Sequence, residues 1–176
     1  MPGFASNDLE GQLGALIPNL RAFAIFLAKN PDVADDLVQE TLVKAWGNRS
    51  TLAEDSNLRA WLFTILRNTY FSRIRKRRLE VEDADGVYTD ALSVAASQPG
   101  HMDMVDFTKV LDGMSREHRE ALILVGAEGF SYEDAALMCG CAVGTMKSRV
   151  SRARAIAAHL MGLDTVEEIG SQPSGA

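Results

Sequence analysis

Apolar side chains recur along this chain at intervals of three and four residues, and they almost nowhere alternate as in a strand. Leu13, Leu16, Ile17, Leu20, Ala24 and Leu27 mark a first amphipathic helix. It should end at Lys29-Asn30-Pro31-Asp32, because a proline pushes the residue before it out of helical geometry. Asp32 is the expected cap of a second helix, whose apolar face reads Val33, Leu37, Val38, Leu42, Ala45 and Trp46 and which stops at Gly47. After a loop, a third long helix is expected from about Leu58 to Arg78, with Leu58, Trp61, Leu62, Ile65, Leu66 and Thr69 as its core stripe.

The pattern then breaks. Residues 81–104 are rich in acidic and small residues and hold Gly86, Pro99 and Gly100, the composition of a linker between two domains. Helical spacing resumes with Val105, Val110, Leu111 and Met114, and Ser115 followed by Glu117 and Arg119 starts a fresh helix leading to Leu122, Ile123 and Val125. Ser131 caps a short helix from about Tyr132 to Met138, Gly140 makes a turn, and a long helix runs from about Val143 to Leu160. A short helix, a glycine turn and a second, basic helix form the signature of a helix-turn-helix, whose second helix fits the DNA major groove. Val143, Met146, Val150, Ala153 and Ile156 are its buried stripe, which leaves Lys147, Ser148, Arg149, Arg152 and Arg154 to meet DNA. Ala142, near its N-cap, offers no capping oxygen. The fold class is therefore all-α, two small helical domains joined by a flexible acidic linker.

Charge sharpens this reading. The chain of 176 residues carries a formal net charge of −6, yet Arg67, Arg73, Arg75, Lys76, Arg77 and Arg78 fall within twelve positions without an acidic residue between them. Residues 142–161 repeat the situation with Lys147, Arg149, Arg152 and Arg154. A solvated helix face would interleave glutamate with lysine; cations concentrated this way point to a polyanion, and nucleic acid is the expected partner. At 47% hydrophobic residues the chain can bury real cores. No stretch approaches the roughly 20 apolar residues of a membrane span, and the N-terminus lacks a signal-peptide pattern, so a cytoplasmic protein without membrane contact is expected.

Other chemistries find little support. Cys139 and Cys141 flank one glycine, too close for an ordinary disulfide and without further ligands for zinc, and are expected to be small buried apolar side chains. His101, His118 and His159 are scattered, and no catalytic triad, phosphate loop or metal-ligand spacing occurs. Neither an enzyme, a cofactor nor a metal is expected.

Three segments, PDVADDLVQETLVKAW, LRAWLFTILRNTYFSRIRKRR and GFSYEDAALMCGCAVGTMKSRVSRAR, together resemble a bacterial extracytoplasmic-function sigma factor of the two-domain kind, over residues 10–162. WLFTILRNTYFS, RKRRLEVEDADG and EALILVGAEGFSYEDAA resemble more narrowly its alphaproteobacterial general-stress-response subgroup. Ser72 is a departure, since many members of the wider family carry Asp there.

The resemblance implies a sigma-2-like domain over 10–80, a linker over 81–104, a sigma-4-like helix-turn-helix domain over 105–162 and a disordered tail over 163–176. It implies that Asp36, Gln39, Glu40 and Lys44 dock on the beta-prime clamp helices of core RNA polymerase, with the beta flap as a second polymerase contact. The loop Ser50–Asn57 would capture a base flipped from the minus-ten element, and Arg67, Asn68, Arg73, Arg75, Lys76, Arg77 and Arg78 would form the melting surface. Thr145, Lys147, Ser148, Arg149, Arg152 and Arg154 would read the minus-thirty-five element. Glu82, Asp83, Asp85 and Asp90 would thread the channel later used by nascent RNA, and a small helical anti-sigma protein would hold the factor off. Trp61 is expected in the core, whereas Tyr70 and Phe71 stand open between the core and stacking on bases. Two other readings are a sigma-like decoy that titrates an anti-sigma protein and a plain helix-turn-helix regulator. The first needs no DNA-reading surface, and the second leaves the docking helix unexplained.

Overall fold

A computed structural model describes residues 6–53, 56–82 and 109–162. The chain divides into two compact units between Ala96 and Ser97, and the described residues are helical with no strand.

The first unit holds α1 (Ser6–Ala28), α2 (Pro31–Gly47) and α3 (Leu58–Glu82), with a single 3-10 turn at Arg49–Thr51. Lys29 takes the left-handed conformation, φ 51°, and reverses the chain between α1 and α2. The cap of α2 is Asn30 and not Asp32. Its side-chain oxygen accepts from the N–H groups of Asp32 and Val33 at 2.9 and 3.1 Å. Pro31 sits at the start of the helix, where its missing N–H costs nothing, so the proline begins α2 rather than merely ending α1.

Leu20, Phe23 and Ala24 of α1, Ala34, Leu37 and Ala45 of α2, and Leu62, Phe63 and Leu66 of α3 form the core. Full burial of each large side chain is worth about 1.5–3 kcal/mol. The rings of Phe23 and Phe63 stack with centroids 5.0 Å apart. Neither phenylalanine belongs to the aliphatic stripes that the spacing suggests, while Leu16, Leu27, Trp61 and Ile65 are only half-buried and Ile17 is exposed. Thr41, fully buried, donates to the Leu37 carbonyl at 2.7 Å, the usual way a helix absorbs a buried hydroxyl. The segment Leu9–Ala28 is long and apolar enough by length and composition to cross a membrane, which corrects the expectation that no stretch approaches that size. Its apolar side is a packing face, and Arg21 beside it pairs with Asp35 of α2 at 2.6 Å.

In the second unit, residues 109–112 are helical and Val110, Leu111 and Met114 are buried; Val105 lies outside the described residues. Ser115 caps α4 (Arg116–Ala121), accepting from the His118 N–H, and α4 continues into a wide π-helical turn, Leu122–Ala127. Then come α5 (Tyr132–Cys139) and α6 (Val143–Leu160). Ile123, Leu124, Phe130, Ala135, Ala136, Met138, Met146, Val150 and Ala153 make the core. Cys139 and Cys141 are half-buried, not buried as expected, and neither is in a disulfide.

Candidate nucleic-acid interface

The helix-turn-helix is built by local signals that agree with one another. Ser131 accepts from the Asp134 N–H at 3.0 Å and starts α5. Gly140 ends it in the left-handed region, φ 63° and ψ 39°, with its own N–H and that of Cys141 donating to the carbonyls of Leu137 and Ala136. That glycine conformation turns the chain sharply into α6, whose N-cap Ala142 makes no side-chain capping bond. Met146, Val150 and Ala153 anchor α6 on the core.

The remaining faces of α6 separate by spacing. Thr145, Ser148, Arg149 and Arg152 follow i, i+3, i+4, i+7 and share one flank, while Lys147 and Arg154, seven apart, share the other. All are exposed except Arg149, which borders the buried stripe and is half-buried. Lys147 places its ammonium 5.8 Å from the centre of the Tyr132 ring, so α5 carries the stem of this cation. The Glu117 carboxyl is held below the usual carboxylate range, first by a hydrogen bond from its own main-chain N–H, with Arg116, Ser115 and Arg149 adding to the effect against partial burial. Arg149 therefore sits within the field of an acidic group of its own module, and Arg152 does not share that restraint.

The basic strip of α3 is less uniform than its sequence. Asn68, Arg75, Lys76, Arg77 and Arg78 are exposed. The Arg67 guanidinium lies 4.8 Å over the Phe71 ring, Arg75 donates to the Ser72 hydroxyl at 3.3 Å, and Lys76 is 3.9 Å from Glu80. Tyr70 spends its hydroxyl inside the module, and its ring meets the edge of Phe71 with centroids 5.2 Å apart. Both aromatic rings thus have partners in the fold.

Of the four residues assigned to docking, Asp36 and Gln39 are exposed on α2. Glu40 and Lys44 are instead joined in a network with α3. Glu40 Oε1 lies 2.7 Å from Lys44 Nζ, Oε2 accepts from Arg73 Nε at 2.8 Å and from its terminal nitrogen, and Lys44 Nζ donates to the buried Thr69 hydroxyl at 3.1 Å. The Glu40 carboxyl is held below the usual range, chiefly by the Lys44 hydrogen bond and further by Arg73, against partial burial. One member of the docking set is thereby bonded to one member of the melting set, a connection that spans 33 positions and that spacing cannot reveal.

Sequence reasoning also misses the surroundings of Trp46. Spacing puts it on the apolar face of α2, yet it is 37% exposed. With Leu13, Ile17, Leu42 and Val43 it lines a shallow apolar hollow between α1 and α2, and Arg49 stacks over its ring at 4.9 Å while donating to its carbonyl. An arginine three positions beyond a helix-terminal tryptophan is the available signal. Within the loop Ser50–Asn57, residues 54 and 55 lie outside the described residues, as do Asp83, Asp85 and Asp90 and the tail 163–176; α3 runs to Glu82, two positions into the expected linker. Among the described residues no cluster of three or more His, Cys, Asp or Glu side chains could hold a metal ion.

An all-helical chain whose second module is a helix-turn-helix with an exposed basic reading helix is a DNA-binding protein. Family comparison refines this: Sigma-70 region 2 matches residues 14–80 and Sigma-70 region 4 matches residues 104–156. The chain is 54% identical to the ECF RNA polymerase sigma factor EcfG of Rhodopseudomonas palustris, over 94% of this chain and 91% of that one. It resembles the sigma factor RpoE in a co-crystal with the anti-sigma factor NepR from Bartonella quintana, at 52% identity and a TM-score of 0.77, covering 89% of this chain and 98% of that one. CnrH, solved in complex with the cytosolic domain of CnrY, is 27% identical with a TM-score of 0.64, and 92% of each chain is covered. This chain belongs to the extracytoplasmic-function RNA polymerase sigma factors, and its work is transcription initiation.

Proposed function

We propose that the chain is the sigma factor of a general stress response, acting in the cytoplasm. Residues 10–80 join core RNA polymerase at the beta-prime clamp helices through the exposed Asp36 and Gln39 side of α2, with Glu40 and Lys44 behind it. The loop after α2 and the basic end of α3 hold the opened minus-ten strand, where unstacking of a few kcal/mol per extruded base is offset by a cationic track. Residues 105–162 read the minus-thirty-five duplex with α6 and meet the beta flap, and the acidic segment 81–104 connects the two. Catalysis belongs to the polymerase, and no cofactor is needed. The observation that carries this reading is the exposed basic flank of α6, Thr145, Ser148 and Arg152, on a chain 54% identical to EcfG.

A small helical anti-sigma protein is the expected inhibitor, since RpoE was solved with the anti-sigma factor NepR and CnrH with the cytosolic domain of CnrY. In vitro transcription with core polymerase and a promoter library tests the whole. Initiation confined to promoters sharing one minus-thirty-five and one minus-ten sequence is expected. No transcript from any promoter, together with tight capture of the anti-sigma protein, would make the chain a decoy; DNA binding without polymerase binding would make it a plain regulator.

A further inference from the structure

The pairing of Glu40 with Arg73 joins two surfaces that have separate tasks. Glu40 lies one residue from Gln39 and four from Asp36 on the side of α2 assigned to polymerase, and Arg73 begins the run of cations on α3 assigned to the DNA strand. Arg73 differs in kind from Arg75 and Lys76. Those two have partners on α3 itself, at Ser72 and Glu80, whereas the partner of Arg73 is a carboxylate on another helix. Both Glu40 oxygens are engaged, one by Lys44 and the other by Arg73 through two donors. The pair is also accessible, with about a third of each side chain exposed, 36% for Arg73 and 35% for Glu40. An ion pair so open to water contributes little to stability and exchanges partners readily. It has the strength of a latch and not of a staple.

We propose that Glu40 is a positioning residue that withholds Arg73 from the DNA-tracking strip in the free protein, and that polymerase occupying the α2 surface releases it. The inference rests on the reading of α2 as the docking helix and of the α3 strip as the strand-tracking surface. A hydrogen-bond donor or cation of the polymerase that engages Glu40 takes the carboxylate from Arg73, and the freed guanidinium turns to a phosphate. The free factor then has one phosphate contact fewer than the polymerase-bound factor, so unproductive binding to single strands is weakened before docking.

The test uses the full chain and a mixed-sequence single-stranded oligonucleotide, with affinity measured by fluorescence anisotropy over a salt series. Glu40→Gln should bind several-fold more tightly than the parent, and the slope of log affinity against log salt should steepen by roughly 0.7, the increment for one further phosphate on a single strand. In an Arg73→Gln background the same substitution should add nothing. Asp36→Asn removes one negative charge from the same helix without touching Arg73, and should leave the slope unchanged. Glu40→Asp, which keeps the charge and shortens its reach, should give a smaller gain of the same sign, and serves if Glu40→Gln unfolds. An unchanged slope in Glu40→Gln and Glu40→Asp, or an equal gain in the Arg73→Gln background, would overturn the latch. Polymerase affinity of Asp36→Lys is read in parallel, so that failure of the docking assignment is seen separately.

Discussion

The phenol of Tyr70 donates to the main-chain oxygen of Leu27 at 2.6 Å, and through it α3 holds the last turn of α1. Carbonyls in a final helical turn lack partners within the helix, so this bond satisfies a group that the fold would otherwise leave open. Tyr70→Phe keeps the ring against Phe71 and removes only the hydroxyl. The expected loss is about 1 kcal/mol. Both tryptophans, Trp46 and Trp61, lie in the first module, so their fluorescence reports its unfolding selectively. An unfolding midpoint equal to that of the parent would show that water replaces the bond without cost.

Gly140 and Gly144 make a matched pair of tests, because a Cβ on either meets nothing within 4 Å. Gly140 stands at φ 63°, so Gly140→Ala should cost roughly 1–2 kcal/mol through backbone conformation alone and weaken binding to minus-thirty-five duplex. Gly144 is helical, and Gly144→Ala should stabilise by about 0.5–1 kcal/mol. Denaturation followed by circular dichroism measures both, and the same sign for the two would contradict the conformational argument.

Arg152→Ala should reduce discrimination between promoter and random duplex by about 1–3 kcal/mol, whereas Lys147→Ala should weaken both similarly. Arg149→Ala should behave as Arg152→Ala does, with a smaller loss because Glu117 already restrains that guanidinium. Binding isotherms on the two duplexes decide it; equal losses on both for Arg152→Ala would remove that residue from base reading.

Charge reversal separates Asp36 from Glu40. Asp36→Lys should lower affinity for core polymerase with unchanged helicity, since Asp36 is exposed on α2. Glu40→Lys should lower polymerase affinity and also the unfolding midpoint, since it sets a cation against Lys44 and Arg73. The sequence suggests that both reversals spare the fold, and the network on α3 corrects that for Glu40. Normal stability of Glu40→Lys would argue that the network adds nothing to the fold.

The same carboxylate gives the first module a dependence on acid. Its folded pKa lies below that of an unfolded glutamate, about 4.3, so its contribution is complete above that value and is lost as pH falls through the lowered folded value. Tryptophan-monitored unfolding of the parent should weaken over that acid window more than that of Glu40→Gln. Parallel pH profiles would mean that Glu40 has equal proton affinity in both states.

The sequence made visible what short-range physics decides. Ser115 and Ser131 cap helices because a hydroxyl before a helical run has few better uses, and Gly140 turns because other residues resist its conformation. Met146, Val150 and Ala153 follow the helical period into the core. The failures have physical causes as well. Asp32 is a good cap in isolation, but Pro31 fits the first helical position and moves the cap back to Asn30. Phe23 and Phe63 escape a reading of spacing because each is buried by the other, across 40 positions. The Glu40–Arg73 pair is of the same type: neither residue carries a local mark of its partner, and only the alignment of α2 with α3 brings them together.

The wide turn at Leu122–Ala127 limits how this gene can vary. Glu128 donates its N–H to Ile123, five residues back, so the turn carries one residue more than an α-helix would hold there. Deleting Gly126 would remove no charge and no core side chain. It would change phase: with 3.6 residues per turn, losing one residue rotates the rest of the module by about 100°. Ser131, Gly140 and every cation of α6 would remain in the chain, spelled as before, and the helix that carries them would face the wrong way.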